Sequence, residues 1–379
     1  MKREKMRSVN LILLMLGMLC FRVNAQTSAP SDERATTETV NLFRNLIKLQ
    51  QKNKYLIGHQ DALAYGVKWK YQPGRSDVKD VTGDYPALYG WELGHLEAGS
   101  KVNLDSVPFD KMREFIKDGY KRGGVITISW HGNNPMTGKT AWDPEPGTVA
   151  SILPGGDKHD VFRKQLDKVA AFLLSLKGAG DEYIPVLFRP FHEHTGGWFW
   201  WGVKTTSDIE YQKLFRFTVE YLRDVKGLHH LLYVYNTASG FKNREEFLKR
   251  YPGDEFVDVL SFDAYQFSNQ SADFSTALKA DLAVVEDLAI ARNKIAAVAE
   301  TGYSQIPDAK WWTGTVAPSF KGRQFAFVLF WRNAGYKKDK TTEYYVPYKG
   351  QPSEGDFIRF YNLPETVFQK ELGAMKIYR

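Results

Sequence analysis

Leu187-Phe188-Arg189-Pro190-Phe191-His192-Glu193-His194-Thr195-Gly196-Gly197-Trp198-Phe199-Trp200-Trp201-Gly202 runs from an apolar segment into a carboxylate flanked by two histidines, then into four consecutive aromatic residues between glycines. Residues 184–189 have the length and character of a buried strand. Pro190 has no N–H to give a sheet ladder, so pairing stops near Arg189 and Glu193 falls on the rim of the sheet. A carboxylate at the end of an apolar strand needs a partner or a chemical task. Four successive aromatic rings cannot all enter one core. The stretch reads as a strand that delivers a proton-transfer group and a flat hydrophobic surface to one end of a sheet.

Seven similar apolar runs occur, at 55–59, 87–93, 125–130, 230–235, 257–263, 295–300 and 325–331. Helical patterns lie between most of them, at 110–122, 160–176, 207–225, 244–251 and 274–291. Another, at 37–53, precedes the first strand, with Leu42, Leu46 and Leu49 at helical spacing, and a last one falls around 364–372. The linker 61–86 shows no clear helix. Strands separated by helices pair in parallel. Eight of them imply a closed (β/α)8 TIM barrel, α/β in class, rather than an open sheet. No Gly-x-Gly-x-x-Gly follows the first strand, which argues against a dinucleotide-binding sheet. No Pro/Gly/Ser linker divides the chain, so one catalytic domain over 26–379 is expected.

In such a barrel, chemistry sits at the C-terminal ends of the strands. Those ends carry Ser129-Trp130-His131, Arg189 to Glu193, Phe262-Asp263-Ala264-Tyr265, Ala299-Glu300-Thr301-Gly302-Tyr303 and Trp331-Arg332-Asn333. Glu193 and Glu300 are carboxylates directly off buried strands. Glu300 follows Ala296-Ala297-Val298-Ala299, small residues suited to a crowded barrel interior. Each Glu alone could be an ion-pair partner of Arg189 or Arg332. The two together, beside the aromatic run, fit glycosidic-bond hydrolysis, which needs a carboxyl on each side of the scissile bond. Tyr265 is placed to donate to Glu300 and keep it ionised. His192 and His194 stand two residues apart, but no His-Glu-x-x-His pattern or third ligand accompanies them, and no metal or other cofactor is expected. Trp198 is expected to meet a sugar ring, with one of Trp200 and Trp201 buried. Trp311-Trp312 offers a second aromatic pair, either a distal sugar subsite or packing. His59 and His95 are further rim candidates, for which a structural role is the stronger reading.

Lys2, Arg3, Lys5 and Arg7 precede an apolar run from Leu11 to Phe21, and Val23-Asn24-Ala25 follows with small residues at a cleavage site. Residues 1–25 read as a signal peptide cut after Ala25, with lipidation at Cys20 the lesser alternative because Leu19 is large. An exported protein, periplasmic or secreted, is expected. The leader holds five cations and one acid, so its removal takes the net charge from +7 to +3. That balance gives no argument for nucleic acid. The only cysteine, Cys20, leaves with the leader, so the mature chain has no thiol chemistry. No later segment suits a membrane helix, and a monomer is expected.

The motifs Arg189-Pro190-Phe191-His192-Glu193 with Gly197-Trp198-Phe199-Trp200-Trp201-Gly202, and Ala299-Glu300-Thr301-Gly302, resemble those of glycoside hydrolase family 26, chiefly β-mannanases. Ser129-Trp130-His131, Asp263-Ala264-Tyr265 and Trp331-Arg332-Asn333 support the resemblance, which spans the mature chain in the family's order. It implies a (β/α)8 barrel, a retaining mechanism, Glu193 as acid/base and Glu300 as nucleophile. It also implies that His131, His192, Trp198, Tyr265 and Trp331 line the subsite of the attacked sugar. The implied substrate is β-mannan, as mannan, glucomannan or galactomannan, or manno-oligosaccharides. Exo-acting release of mannobiose, mixed-linkage β-glucanase and β-1,3-xylanase activities remain open within the family. Outside it stands a glycan-binding protein without catalysis, which the presence of both glutamates disfavours.

Overall fold

Eight parallel strands form the centre of the computed structural model, which describes residues 28–336 and 342–379. β1 (Tyr55–Gln60), β2 (Leu88–Glu92), β3 (Val125–Trp130), β4 (Val186–Pro190), β5 (Leu231–Ala238), β6 (Val259–Gln266), β7 (Ile295–Tyr303) and β8 (Phe327–Phe330) pair in that order. β8 then pairs with β1, from Leu56 opposite Phe327 to His59 opposite Phe330, and the sheet closes. The fold is a (β/α)8 barrel. The expected signal peptide and Cys20 lie outside the described residues.

Alternation along each strand turns every second residue inward. The lower layers are apolar, with Leu56, Leu88, Val125, Leu187, Leu232, Val259, Ile295 and Phe327 in one buried cluster. Gly58 keeps the interior narrow, since a Cβ there would stand 2.7 Å from Leu88 Cδ2. α1 (Thr37–Gln51) closes the bottom: Leu42, Phe43, Leu46 and Leu49 join the same cluster. Thr36 caps its first turn by accepting from the Thr39 amide. Gln50 fixes its end, donating to Lys294 O and accepting from Ala296 N. The outer helices α2 (Phe109–Lys121), α3 (His159–Leu174), α4 (Asp208–Glu220) and α5 (Ser271–Arg292) bury Met112, Phe162, Leu214 and Leu282 in a second core. α4 begins with a capping box between Ser207 and Glu210, which satisfies two first-turn donors.

Three segments differ from the pattern expected of them. The linker 61–86 holds a short hairpin, Tyr65–Gly66 with Trp69–Lys70, and a helix, Asp77–Thr82. Asp77 stitches them together, accepting from Trp69 Nε1 at 2.6 Å and Val67 N at 2.9 Å. The last helix is Gln369–Met375 rather than 364–372, because Thr366–Val367 pairs with β1. Glu354–Tyr361 forms a helix that periodicity did not reveal. Among the described residues, no helix is long and apolar enough to cross a membrane.

Candidate active site

Strict alternation on β7 would turn Ala297 and Ala299 inward and Glu300 outward. The register slips instead: Phe262 faces Val298 while Asp263 faces Glu300, and Phe330 faces Thr301. This bulge at Ala299 re-aims Glu300 into the mouth. There it is 5% exposed. Tyr265 Oη donates to Glu300 Oε2 at 2.8 Å, and Arg189 Nη2 donates to Oε1. Arg189, from β4, is 2% exposed, and its Nη1 also donates to Asp263 Oδ2 at 2.9 Å. Asn236 Nδ2 binds the same oxygen at 2.7 Å.

Glu193 completes the cluster. One oxygen each of Glu193, Asp263 and Glu300 lies within 4.8 Å of the others. Three carboxyl groups crowd around a single guanidinium, which pairs with two of them, Asp263 and Glu300, so the site favours holding a proton. Burial, then the charge of Glu300, raises Glu193 from 4.5 to about 7, against the hydrogen bond from Trp198 and the charge of Arg189. Burial also drives Asp263 well up, against Arg189. A carboxyl that is half protonated near neutrality beside one bonded to Arg189 and Tyr265 can give a proton while its neighbour keeps a lone pair free.

The loop after β4 holds Glu193 in a bent path. Phe191 and Glu193 have φ of 51° and 49°, left-handed values that cost side-chain-bearing residues energy. Side-chain donors clamp the carbonyls of that turn. Tyr211 Oη reaches Phe191 O at 3.1 Å, Trp201 Nε1 reaches His192 O at 2.8 Å, and Arg250 Nη1 reaches His194 O. Trp200 Nε1 ties the loop to Gly132 O at 2.9 Å. Trp198 alone of the four aromatics is exposed, at 43%, and its Nε1 donates to Glu193 Oε2 at 2.9 Å. It lies over Gly196, where a Cβ would come within 2.3 Å of its ring. Gly196 therefore makes room for the indole, while Gly202 lets the chain pass close to the Gly196 carbonyl.

His131 and His192 meet each other. Their Nε2 atoms are 2.9 Å apart, and His131 Nδ1 is 2.8 Å from Glu92 Oε2. Glu92 also accepts from Ser129 Oγ and from the His131 amide, at 2.5 and 2.7 Å. Burial pushes Glu92 up, but His131 and these hydrogen bonds outweigh it and hold it at about 2. Burial lowers His131, and Glu92 more than reverses this. His192 is held well below its ordinary value, first by burial and then by His131. The network therefore assigns His131 Nε2–H as donor to a neutral His192. Trp142, 49% exposed, stacks on His131 at 5.0 Å and 12°. Neither Glu92 nor Trp142 stood out in the sequence. Glu92 ends an apolar strand as Glu193 does, a signal that was there to be read; Trp142 had none.

Some of the remaining candidates take the structural alternative, and others lie elsewhere than expected. Trp200 and Trp201 are both buried and pin the loop, so neither is a sugar platform. Trp311 and Trp312 are core residues at 0% exposure, bonded to Gln266 Oε1 and Ser353 Oγ. His59 is a buried residue of β1, and burial lowers it to about 3. His95 sits half-buried in a turn after β2 with φ of 77°. Arg332 does not reach the glutamates; its Nε pairs with Asp105 Oδ1 at 3.1 Å. His194 does not converge with His192. Its ring packs between Tyr211 and Tyr235, at 4.1 and 4.7 Å. Trp331 lies half-buried just past β8, its amide bonded to Thr301 O, and Tyr265 is half-buried beside Glu300.

Two carboxyl groups converging from β4 and β7 over the mouth of a closed parallel barrel put the chain among the glycoside hydrolases. Residues 31–315 match the model of glycosyl hydrolase family 26, and the chain belongs to that family. It is 36% identical, over 87% of its length, to a mannan endo-1,4-beta-mannosidase of Bifidobacterium adolescentis, of which it spans 34%. A second protein of that name, from Bacillus subtilis, is 28% identical over 75% of this chain and 80% of its own. A family 26 beta-mannanase from Bacteroides ovatus superposes with a TM-score of 0.86 at 42% identity, covering 91% of this chain and 98% of that one.

Proposed function

We propose that this chain is a retaining endo-β-1,4-mannanase, exported and acting as a monomer on mannan, glucomannan or galactomannan. The observation that carries the reading is the convergence of Glu193, raised to about 7, with Glu300 bonded by Arg189 and Tyr265. In the first step, a Glu300 oxygen attacks the anomeric carbon while Glu193 gives its proton to the departing glycosidic oxygen. The sugar is then esterified to Glu300, whose charge is gone, so Glu193 becomes easier to ionise. In the second step, Glu193 takes a proton from water, the water oxygen attacks the anomeric carbon, and Glu300 leaves as a carboxylate. The oxygens of the cluster lie within 4.8 Å, which suits the short separation of retaining enzymes rather than the gap that admits a water. The names of the relatives support β-1,4-mannan as substrate.

The test is a product time course on linear mannan, galactomannan and mixed-linkage glucan, with Glu300→Ala as control. Mixed oligomers from mannan, falling viscosity and an inactive variant are expected. Mannobiose alone from the first minutes would make the enzyme exo-acting, and cleavage of the glucan only would overturn the substrate. Equal activity of variant and wild type would overturn the nucleophile.

A further inference from the structure

Phe267 is 91% exposed, more than any other large apolar side chain among the described residues. A lone apolar residue on a surface ordinarily means nothing, but this one is displayed on a fixed support beside the reacting groups. It follows β6 by one residue, and its ring centroid is 6.1 Å from that of Tyr265, whose hydroxyl binds Glu300. The residue between them is buried: Gln266 donates to Ser268 O at 2.8 Å and Ser271 Oγ at 3.0 Å, and accepts from Trp311 Nε1 at 2.8 Å. The turn carrying Phe267 is therefore anchored at both ends. Beside the ring opens a cleft of about 300 Å³ bounded by Ser239, Ser268 and Gln270, which offer hydroxyl and amide groups next to an apolar face.

We propose that Phe267 is a sugar-stacking residue of a distal leaving-side subsite, holding the second mannosyl unit beyond the scissile bond. This rests on the mannanase reading above. A pyranose presents an axial C–H face to an aromatic ring and hydroxyls at its edge, which is the chemistry of this ring and cleft. The side follows from the acid. Trp198 holds the carboxyl of Glu193, so the departing sugar lies against the β4 loop. β6 stands two strands from β4 and two from β8, but the cleft beside Phe267 opens toward β5: it reaches Ser239, and the amide of the adjoining Ala238 donates to Thr195 Oγ1 of the β4 loop at 3.0 Å, so the cleft lies on the acid's side of the ring. Phe267 thus selects for longer chains and sets which bond of an oligosaccharide is cut.

The experiment compares wild type, Phe267→Ala and Phe267→Trp on β-1,4-mannohexaose labelled at its reducing end and on 4-nitrophenyl β-mannobioside, whose leaving group stops at the first position. Covering one ring face removes on the order of 50 Å² of apolar surface from water, equivalent to about tenfold in affinity. The ratio of kcat/KM on hexaose to that on the aryl substrate is expected to fall about tenfold in Phe267→Ala and to recover in Phe267→Trp. The labelled fragments should become shorter, because binding modes that fill the distal position are lost. An unchanged ratio, or an equal loss on both substrates, would overturn the assignment, as would labelled fragments that lengthen, which puts the ring on the other side. Failure of wild type to cut either substrate would instead overturn the mannanase reading beneath it.

Discussion

Glu193→Gln should make the protein more stable at alkaline pH while removing its catalysis. Glutamine closely matches a protonated glutamate in shape and can still accept from Trp198 Nε1, now at 2.9 Å from the carboxyl. The Glu193 carboxyl titrates at about 7 in the folded chain against 4.5 for an unperturbed Glu. Below pH 4.5 the group is protonated in both states, and the substitution should change little. As the pH rises through 7, the unfolded chain has released its proton while the folded site resists doing so, and wild type loses stability. The rise from 4.5 to about 7, at about 1.36 kcal/mol for each tenfold in proton affinity, gives ~3.4 kcal/mol, and partial exposure of the group reduces this to about 2 kcal/mol. Unfolding entropy of about 2.1 cal/mol/K per residue over roughly 350 residues makes that about 3 °C in Tm. Calorimetry of both proteins at pH 4.5 and 8.5 measures it: the variant should gain only at pH 8.5. Its turnover of mannan should fall by about 10²–10⁴, with a much smaller loss on aryl mannosides whose leaving groups need no proton. An identical Tm difference at both pH values, or a wild type more stable at 8.5, would refute the assignment of a strained, proton-holding Glu193.

Two further outcomes follow from buried groups. Glu92 is held at about 2, so the stability it contributes is present above pH 4.5 and lost as the pH falls toward 2. Glu92→Gln should therefore be weaker than wild type by about 3 kcal/mol at pH 6, with the gap narrowing at pH 3, as read by urea unfolding. Trp312 is fully buried against Phe330 and Phe357, so Trp312→Ala should cost about 3–5 kcal/mol. Its KM for mannan should be unchanged at temperatures where it remains folded, whereas a sugar-binding Trp312 would raise it.

The barrel was legible because its strands are apolar runs with helical patterns between them, a signal that depends on burial alone. The two glutamates were legible because each carboxylate ends such a run. What their sequence neighbourhood could not show is how Glu300 points inward. Period two sends it outward, and only the bulge at Ala299, a matter of register with β6 and β8, reverses it. The aromatic run misled for a related reason. Trp200 and Trp201 carry the ring expected of a sugar platform, but their N–H groups are used on Gly132 O and His192 O. Which end of an amphipathic side chain decides its place depends on a partner distant in sequence. Asp263 escaped as a site residue because its partner, Arg189, comes from another strand.

Closure of the barrel joins its first strand to its last. Without that seam β1 and β8 would be open edges that invite pairing with another chain. The seam also pairs residues far apart in the chain, Leu56 with Phe327, the kind of non-local contact that slows folding. Closure thus removes both edges of the barrel sheet and brings the loops after β1 and β8 side by side at its mouth. The same strand pairing that seals the sheet against foreign strands also completes the ring of loops around the glutamates.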